Sequence, residues 1–115
     1  MKKIYHLKTC DTCKRILGQL NLNGFELQEI KSNPVTELQL AEMYAFTNSY
    51  EALFNKRARL YKEQGLKEKN LREEDYKNYI LSEYTFLKRP VAIVDDEIFV
   101  GNSKKVVEAL VAKTT

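Results

Sequence analysis

The chain has two cysteines, at positions 10 and 13. In Thr9-Cys10-Asp11-Thr12-Cys13 they stand one helical turn apart, which on a helix separates their β-carbons by about 5–6 Å. A disulfide can form across that gap after small adjustments. The motif lies where a short strand pattern hands over to a helical one, so Cys10 falls at a helix N-terminus. Unpaired backbone N–H groups there favour an anion, and a thiol pKa drops below its free value of about 8.5. Cys13 sits on the apolar stripe of the same helix and is expected to be the more buried partner. Such asymmetry suits thiol–disulfide exchange, in which an exposed thiolate attacks and a sheltered thiol resolves the covalent intermediate. Lys8, Lys14 and Arg15 add positive potential, and Asp11 works against the thiolate.

Three other readings of the pair stand beside this one. A zinc site needs about four ligands, and the only other Cys or His is His6, which reads as an ordinary strand residue. A purely structural disulfide gains little from so short a loop, and a chance spacing carries no chemistry. The redox reading is preferred because strand, motif, helix and N-terminal position coincide. A second feature is Lys88-Arg89-Pro90, just before an apolar run. Proline is permitted at a strand entry, where it either stops the preceding segment or shapes the site. Arg89 offers a fork of donors suited to an oxyanion or carboxylate. The basic run Lys56, Arg57, Arg59 and Lys62 reads first as a solvated helix face, then as an anion-binding edge or partner surface. The seven tyrosines, spread mainly through helical segments, read as core edges.

Positioning these groups requires a defined set of elements. Lys3 to Leu7 has bulky residues on both alternating faces, as in a strand covered on both sides. A helix is expected from about Thr12 to Asn23, with Cys13, Ile16, Leu17 and Leu20 on one stripe and Gly24 as its stop. Phe25 to Ile30 reads as a second strand. Thr36-Glu37-Leu38-Gln39 has the capping-box pattern. A short helix is expected after Ser49, a charged stretch closes at Gly65, and another helix runs from about Asn70 to Glu83. Val91–Val94 and Glu97–Val100 flank Asp95-Asp96 as a hairpin. A last helix carries Val106, Val107, Leu110 and Val111 on its apolar face.

The composition bounds the rest. A chain of 115 residues, 43% hydrophobic and 30% charged with only four Gly and two Pro, has the makeup of one folded domain, which excludes disordered and collagen-like classes. It needs no disulfide staple at this size. A net charge of +3 is too weak to argue for direct nucleic-acid binding. The longest purely apolar run, Val91 to Val94, is far short of the roughly 20 residues that span a bilayer. Met1-Lys2-Lys3 resembles the opening of a signal peptide, but Lys8 interrupts the apolar stretch. A cytoplasmic protein without membrane association is expected, and in a reducing compartment a cysteine pair is more often chemical than structural.

Taken together, Cys10-Asp11-Thr12-Cys13-Lys14-Arg15, Phe54-Asn55-Lys56-Arg57, Tyr61-Lys62-Glu63-Gln64-Gly65-Leu66 and Leu87-Lys88-Arg89-Pro90-Val91 resemble the arsenate reductase ArsC/Spx family. Val100-Gly101 before the last helix fits too, and the likeness runs over nearly the whole chain. It implies an α/β thioredoxin-like fold whose mixed sheet carries a helical insertion between the second and third strands. A single domain is expected, with thioredoxin-like parts at about 1–34 and 87–115 and the insertion at about 35–86. The resemblance also implies a cis bond before Pro90, facing the CxxC loop; X–Pro bonds adopt cis at modest cost.

In family members that reduce arsenate, the first cysteine attacks the oxyanion, arginines hold it, and glutathione and glutaredoxin release the product. Cys10 and Arg89 match those positions. Arg57 or Arg59 corresponds to an arginine of the insertion, and Thr12 and Pro90 complete the expected substrate-binding set. Two departures stand out. Arsenate reducers of this branch carry Cys-Gly-Thr-Ser, whereas this chain has Cys-Asp-Thr-Cys, and Asn102 stands where they have another arginine. The two-cysteine motif resembles Spx-type regulators, which sense oxidation through a CxxC disulfide and bind RNA polymerase. Those proteins run on into a charged tail, whereas this sequence stops at Thr115. Cys-Asp-Thr also resembles family members with a single cysteine at the motif.

Two functional expectations follow. In the first, Cys10 is the nucleophile, Arg89 positions an anionic substrate, and Cys13 resolves to a disulfide that glutathione, glutaredoxin or thioredoxin reduces. No bound cofactor or metal is expected, and the chain is expected to be a monomer. In the second, the same disulfide switches a surface that docks on a protein partner, RNA polymerase by resemblance.

Overall fold

Alternating bulky residues make Lys2–His6 the first strand, β1. It pairs in parallel with β2, Glu26–Glu29, and antiparallel with β3, Val91–Val94. Strand β4, Glu97–Val100, pairs antiparallel with β3, giving the order β2-β1-β3-β4. This is the mixed sheet expected from the sequence. Strands β1 and β2 lie within a residue or two of their expected bounds, and β3 and β4 match theirs. The computed structural model describes residues 1–115. The chain forms two compact units, one from Met1–Asn33 with Arg89–Thr115, the other from Pro34–Lys88.

In the first unit β3 is buried along its whole length, which is why its sequence shows no polar alternation. Asp95 turns the hairpin to β4 with φ of 54°, a left-handed conformation that aspartate tolerates better than most residues. Ile4, Ala92, Val94, Phe99 and Leu110 form one buried cluster, with Leu17, Leu20, Leu22, Phe25 and Val106 packed against it. Leu110 and Val106 come from the last helix, α5, Lys104–Thr114. Ser103 starts that helix by accepting the Val106 N–H at 3.3 Å, a side-chain cap that relieves one orphan donor.

The first helix corrects an expectation. It runs only over Asp11–Leu17 (α1) and does not reach Asn23. Gly18 follows it, and glycine costs about 1 kcal/mol relative to alanine inside a helix. The chain then tightens, with Gln19 N–H bonded to Ile16 C=O at 2.9 Å and Leu20 N–H to Leu17 C=O at 3.2 Å. Leu20 still reaches the core, because the turn delivers it there. Its spacing from Cys13 mimicked a longer helix.

The second unit is helical. Helix α2, Glu37–Thr47, opens with the expected capping box: Thr36 Oγ1 accepts Gln39 N–H, and Gln39 Oε1 accepts Thr36 N–H, both at 3.1 Å. The short helix expected after Ser49 is a single 3-10 turn, Glu51–Leu53. Helix α3, Arg59–Glu63, ends near Gly65, which adopts φ of 63°. Helix α4, Glu73–Ser82, follows. At the centre the Phe54 ring meets Phe86 at 5.1 Å, Tyr76 at 5.0 Å and Tyr61 at 5.6 Å. The chain leaves this unit beside where it passed before: Asn55 N–H bonds to Phe86 C=O at 2.7 Å and Lys88 N–H to Leu53 C=O at 2.8 Å.

Candidate active site

The C-terminal end of β1, the start of α1 and the entry to β3 meet around the two cysteines. Cys10 is the N-cap of α1, with extended backbone angles of φ −92° and ψ 113°. Both cysteines are free thiols; Cys10 is partly exposed and Cys13 fully buried. Helical periodicity explains the difference, since Cys13 shares its inward face with Ile16, which is also fully buried.

Their ionisation is split in the same sense. Burial raises the Cys10 pKa, but hydrogen bonds outweigh that penalty and the net shift is downward. The Cys13 backbone N–H and thiol, the positive charge of Arg89 and the Thr12 backbone N–H all favour the Cys10 thiolate. The neutral thiol does not cap α1; its ionised form is the better acceptor for those donors. Burial pushes the Cys13 thiol up to about 11, and the charge and hydrogen bond of Cys10 push the same way against the Leu7 N–H and Arg89. We expect iodoacetamide near pH 7 to alkylate Cys10 and leave Cys13 unmodified. Peptide mapping checks this, and equal labelling of both would refute the split.

Arg89 is the cation acting on both sulfurs, whereas Lys14 and Arg15 lie exposed in the last turn of α1. The bond from Arg89 to Pro90 is cis. Pro90 is buried, and its C=O accepts the Gly101 N–H at 2.9 Å. Asn102 adds a further tie, its Nδ2 donating to the Arg89 C=O at 3.3 Å. Thr12 contributes through its backbone N–H. The structure thus brings Cys10, Thr12, Cys13, Arg89 and Pro90 into one unit. Arg57 and Arg59 belong to the helical unit. Both are exposed, and Arg59 Nε pairs with Glu63 Oε1 at 3.3 Å, one turn along α3, which is the solvated helix-face geometry. His6 has its pKa lowered by burial, against the pull of Glu29. No group of three or more His, Cys, Asp or Glu side chains is arranged to hold a metal ion.

Glu29 escaped the sequence reading. Its Oε2 accepts the Lys8 N–H at 2.9 Å, and its Oε1 accepts the Lys31 N–H at 3.1 Å, the Ser32 N–H at 2.8 Å and the Ser32 hydroxyl at 2.8 Å. The Lys8 and Ser32 N–H groups hold its pKa down to about 2 from an ordinary 4.5. A carboxylate with a depressed folded pKa stabilises the fold above its unfolded value, and that contribution fades as the pH falls through the folded one. Acid titration is therefore expected to cost wild type stability between about pH 4.5 and about pH 2 that Glu29→Gln never had. A wild-type-minus-variant difference in unfolding midpoint that stays constant over this range would contradict the assignment.

A four-stranded mixed sheet with a Cys-x-x-Cys dithiol where its first strand meets a helix, and a cis-proline at the entry to its third strand, defines a thioredoxin-like protein. Residues 5–110 match the ArsC family model, and the chain belongs to the ArsC family. A Staphylococcus aureus protein solved by solution NMR is 28% identical, with a TM-score of 0.76 and 96% of this chain and 98% of that one covered. A possible arsenate reductase from Streptococcus mutans is 23% identical, with a TM-score of 0.74 and coverage of 96% and 97%. An arsenate reductase from Vibrio cholerae is 18% identical, with a TM-score of 0.73 and coverage of 99% and 97%. These last two likenesses show the shared fold. No curated protein matches the chain. No helix is long and apolar enough to cross a membrane.

Proposed function

We propose that this protein is a thiol-dependent reductase in which Cys10 is the nucleophile and Cys13 the resolving thiol. The observation that carries the reading is a partly exposed Cys10 at the N-cap of α1 one turn from a fully buried Cys13, with Arg89 acting on both and their pKa values shifted in opposite directions. With a disulfide substrate, the Cys10 thiolate bonds to one substrate sulfur and the other leaves as a thiolate that takes up a proton. Cys13 then loses its proton and attacks Cys10 Sγ. The second substrate thiolate departs, and two electrons have passed from the dithiol to the substrate. A high Cys13 pKa does not block this step. The Cys10 charge and hydrogen bond help to hold it up, and both disappear once Cys10 is tied up in the mixed disulfide.

An oxyanion such as arsenate fits the same chemistry. The Cys10 thiolate displaces hydroxide from arsenic, and a second thiol attacks the sulfur, releasing the reduced oxyanion and leaving a disulfide. Arg89 supplies positive charge for the oxyanion as well as for the Cys10 thiolate. Glutathione, glutaredoxin or thioredoxin is the expected reductant of the Cys10–Cys13 disulfide. By resemblance, Arg57 or Arg59 also helps to hold substrate, although Arg59 is already paired with Glu63.

Arg89→Gln tests the electrostatic part. It is expected to raise the Cys10 pKa and to lower kcat/KM for an anionic substrate about tenfold or more, the scale of one lost charge-assisted contact, while Arg89→Lys retains the charge and recovers the pKa. Steady-state kinetics with arsenate and with glutathione disulfide supply the readout, and an unchanged Cys10 titration in Arg89→Gln would reject the role. The dithiol is also what a redox-switched regulator would need. Binding of RNA polymerase that changes between the reduced and oxidised protein, with no turnover of either substrate, would favour that reading.

A further inference from the structure

We propose that Glu29 is a positioning residue for Cys10, acting through the Leu7–Lys8 peptide; this rests on Cys10 being the reactive thiol. One peptide unit joins the two residues. Its N–H, on Lys8, donates to Glu29 Oε2 at 2.9 Å. Its C=O, on Leu7, accepts the Cys10 N–H at 3.1 Å. The carboxylate therefore fixes the orientation of the plane that holds the Cys10 backbone, and it also polarises that plane, because a negative acceptor at the N–H strengthens the C=O as an acceptor. The preceding N–H, on Leu7, favours the ionised form of Cys13, so the turn that Glu29 anchors touches both cysteines.

Glu29 itself is placed by the sheet. It ends β2 in register with His6 of β1, and the next amide, on Ile30, bonds to His6 C=O at 2.9 Å. That pairing delivers the carboxylate to the β1–α1 turn. Its other oxygen is occupied by Lys31 and Ser32, which stops the side chain from rotating away. The charged and titratable groups around this linkage are His6, Lys8 and Lys31 beside Glu29, and Asp11, Cys13 and Arg89 beside Cys10.

The two oxygens of Glu29 allow a clean test. Ser32→Ala removes a donor from Oε1 and leaves the Lys8 bond intact; Glu29→Ala removes the Lys8 bond. Alkylation of Cys10 is followed against pH in wild type and both variants, at a temperature where circular dichroism shows all three folded. Glu29→Ala is expected to slow alkylation about threefold or more on the rising limb of the pH curve, below the plateau, which corresponds to a rise of about half a pKa unit in Cys10. Ser32→Ala is expected to match wild type even where its melting temperature is lower.

Equal Cys10 titrations in wild type and Glu29→Ala would overturn the proposal. So would the same slowing in Ser32→Ala, since that would reflect general loosening. If Glu29→Ala does not fold, amide hydrogen exchange in Glu29→Gln decides: faster exchange at Lys8 and Cys10 supports the linkage, and wild-type rates at both refute it. The wild-type curve separates the two readings. An ordinary Cys10 pKa in wild type rejects the reductase mechanism, whereas a low one that survives in Glu29→Ala rejects only the positioning role.

Discussion

Cys10→Ser is expected to abolish reduction of both disulfide and oxyanion substrates, by about a thousandfold or more, the scale seen when an essential nucleophile is removed. Cys13→Ser should bind and attack normally but stall, leaving a mixed disulfide that mass spectrometry detects on Cys10. The two variants also separate the causes of the low Cys10 pKa. The Cys13 thiol donates to the Cys10 thiolate; a serine hydroxyl keeps a donor there, and alanine removes it. Cys13→Ala should therefore raise the Cys10 pKa more than Cys13→Ser does. Thiolate absorbance across pH gives both values. Full turnover in Cys10→Ser, or a Cys13→Ser protein that accumulates no adduct, would dismiss the mechanism.

The pH dependence follows in sign. A thiol with a lowered pKa is ionised over a wider range, so the reaction rate of Cys10 should rise with pH and level off below the ordinary thiol range. Cys13 should stay protonated until the pH approaches about 11. A plateau only above the ordinary thiol value would mean that the local N–H groups and Arg89 do not outweigh burial.

Phe54→Ala is expected to cost about 3–5 kcal/mol, the usual range for removing a buried aromatic ring. Phe54 is 1% exposed and its ring touches three others. Its backbone also forms an isolated antiparallel bridge with Leu87. Substitution thus opens a cavity at the centre of the helical unit, next to the pairing that closes that unit at Lys88. Denaturant unfolding followed by near-ultraviolet tyrosine signals measures the loss. A change below about 1 kcal/mol would mean that the ring is not the centre of that core.

Some of this was legible in the residues alone. The spacing of Cys10 and Cys13 on an amphipathic pattern placed one thiol inward and left the other accessible, because helical periodicity fixes which faces coincide. Thr36 and Gln39 announced their helix start, since a capping box is a contact between residues three apart and needs no tertiary partner. Val91–Val94 and Glu97–Val100 read as a hairpin because a two-residue turn pattern, Asp95-Asp96, separates two short apolar-rich runs. These are short-range relations, and the chain carries them in its order.

What spans the sequence was decided only in space. The periodicity of Leu17 and Leu20 suggested a helix to Asn23, yet Gly18 ended it and a tighter turn carried Leu20 to the core; apolar spacing records which residues are buried, not the backbone that buries them. Lys14 and Arg15 are the near neighbours of Cys10 in the chain, but the cation acting on both sulfurs is Arg89, brought in when β3 pairs with β1. Glu29 has no motif to mark it. Parallel pairing of β2 with β1 sets its carboxylate against the Lys8 N–H, and a hydrogen bond between residues 21 apart exists only once the sheet has formed.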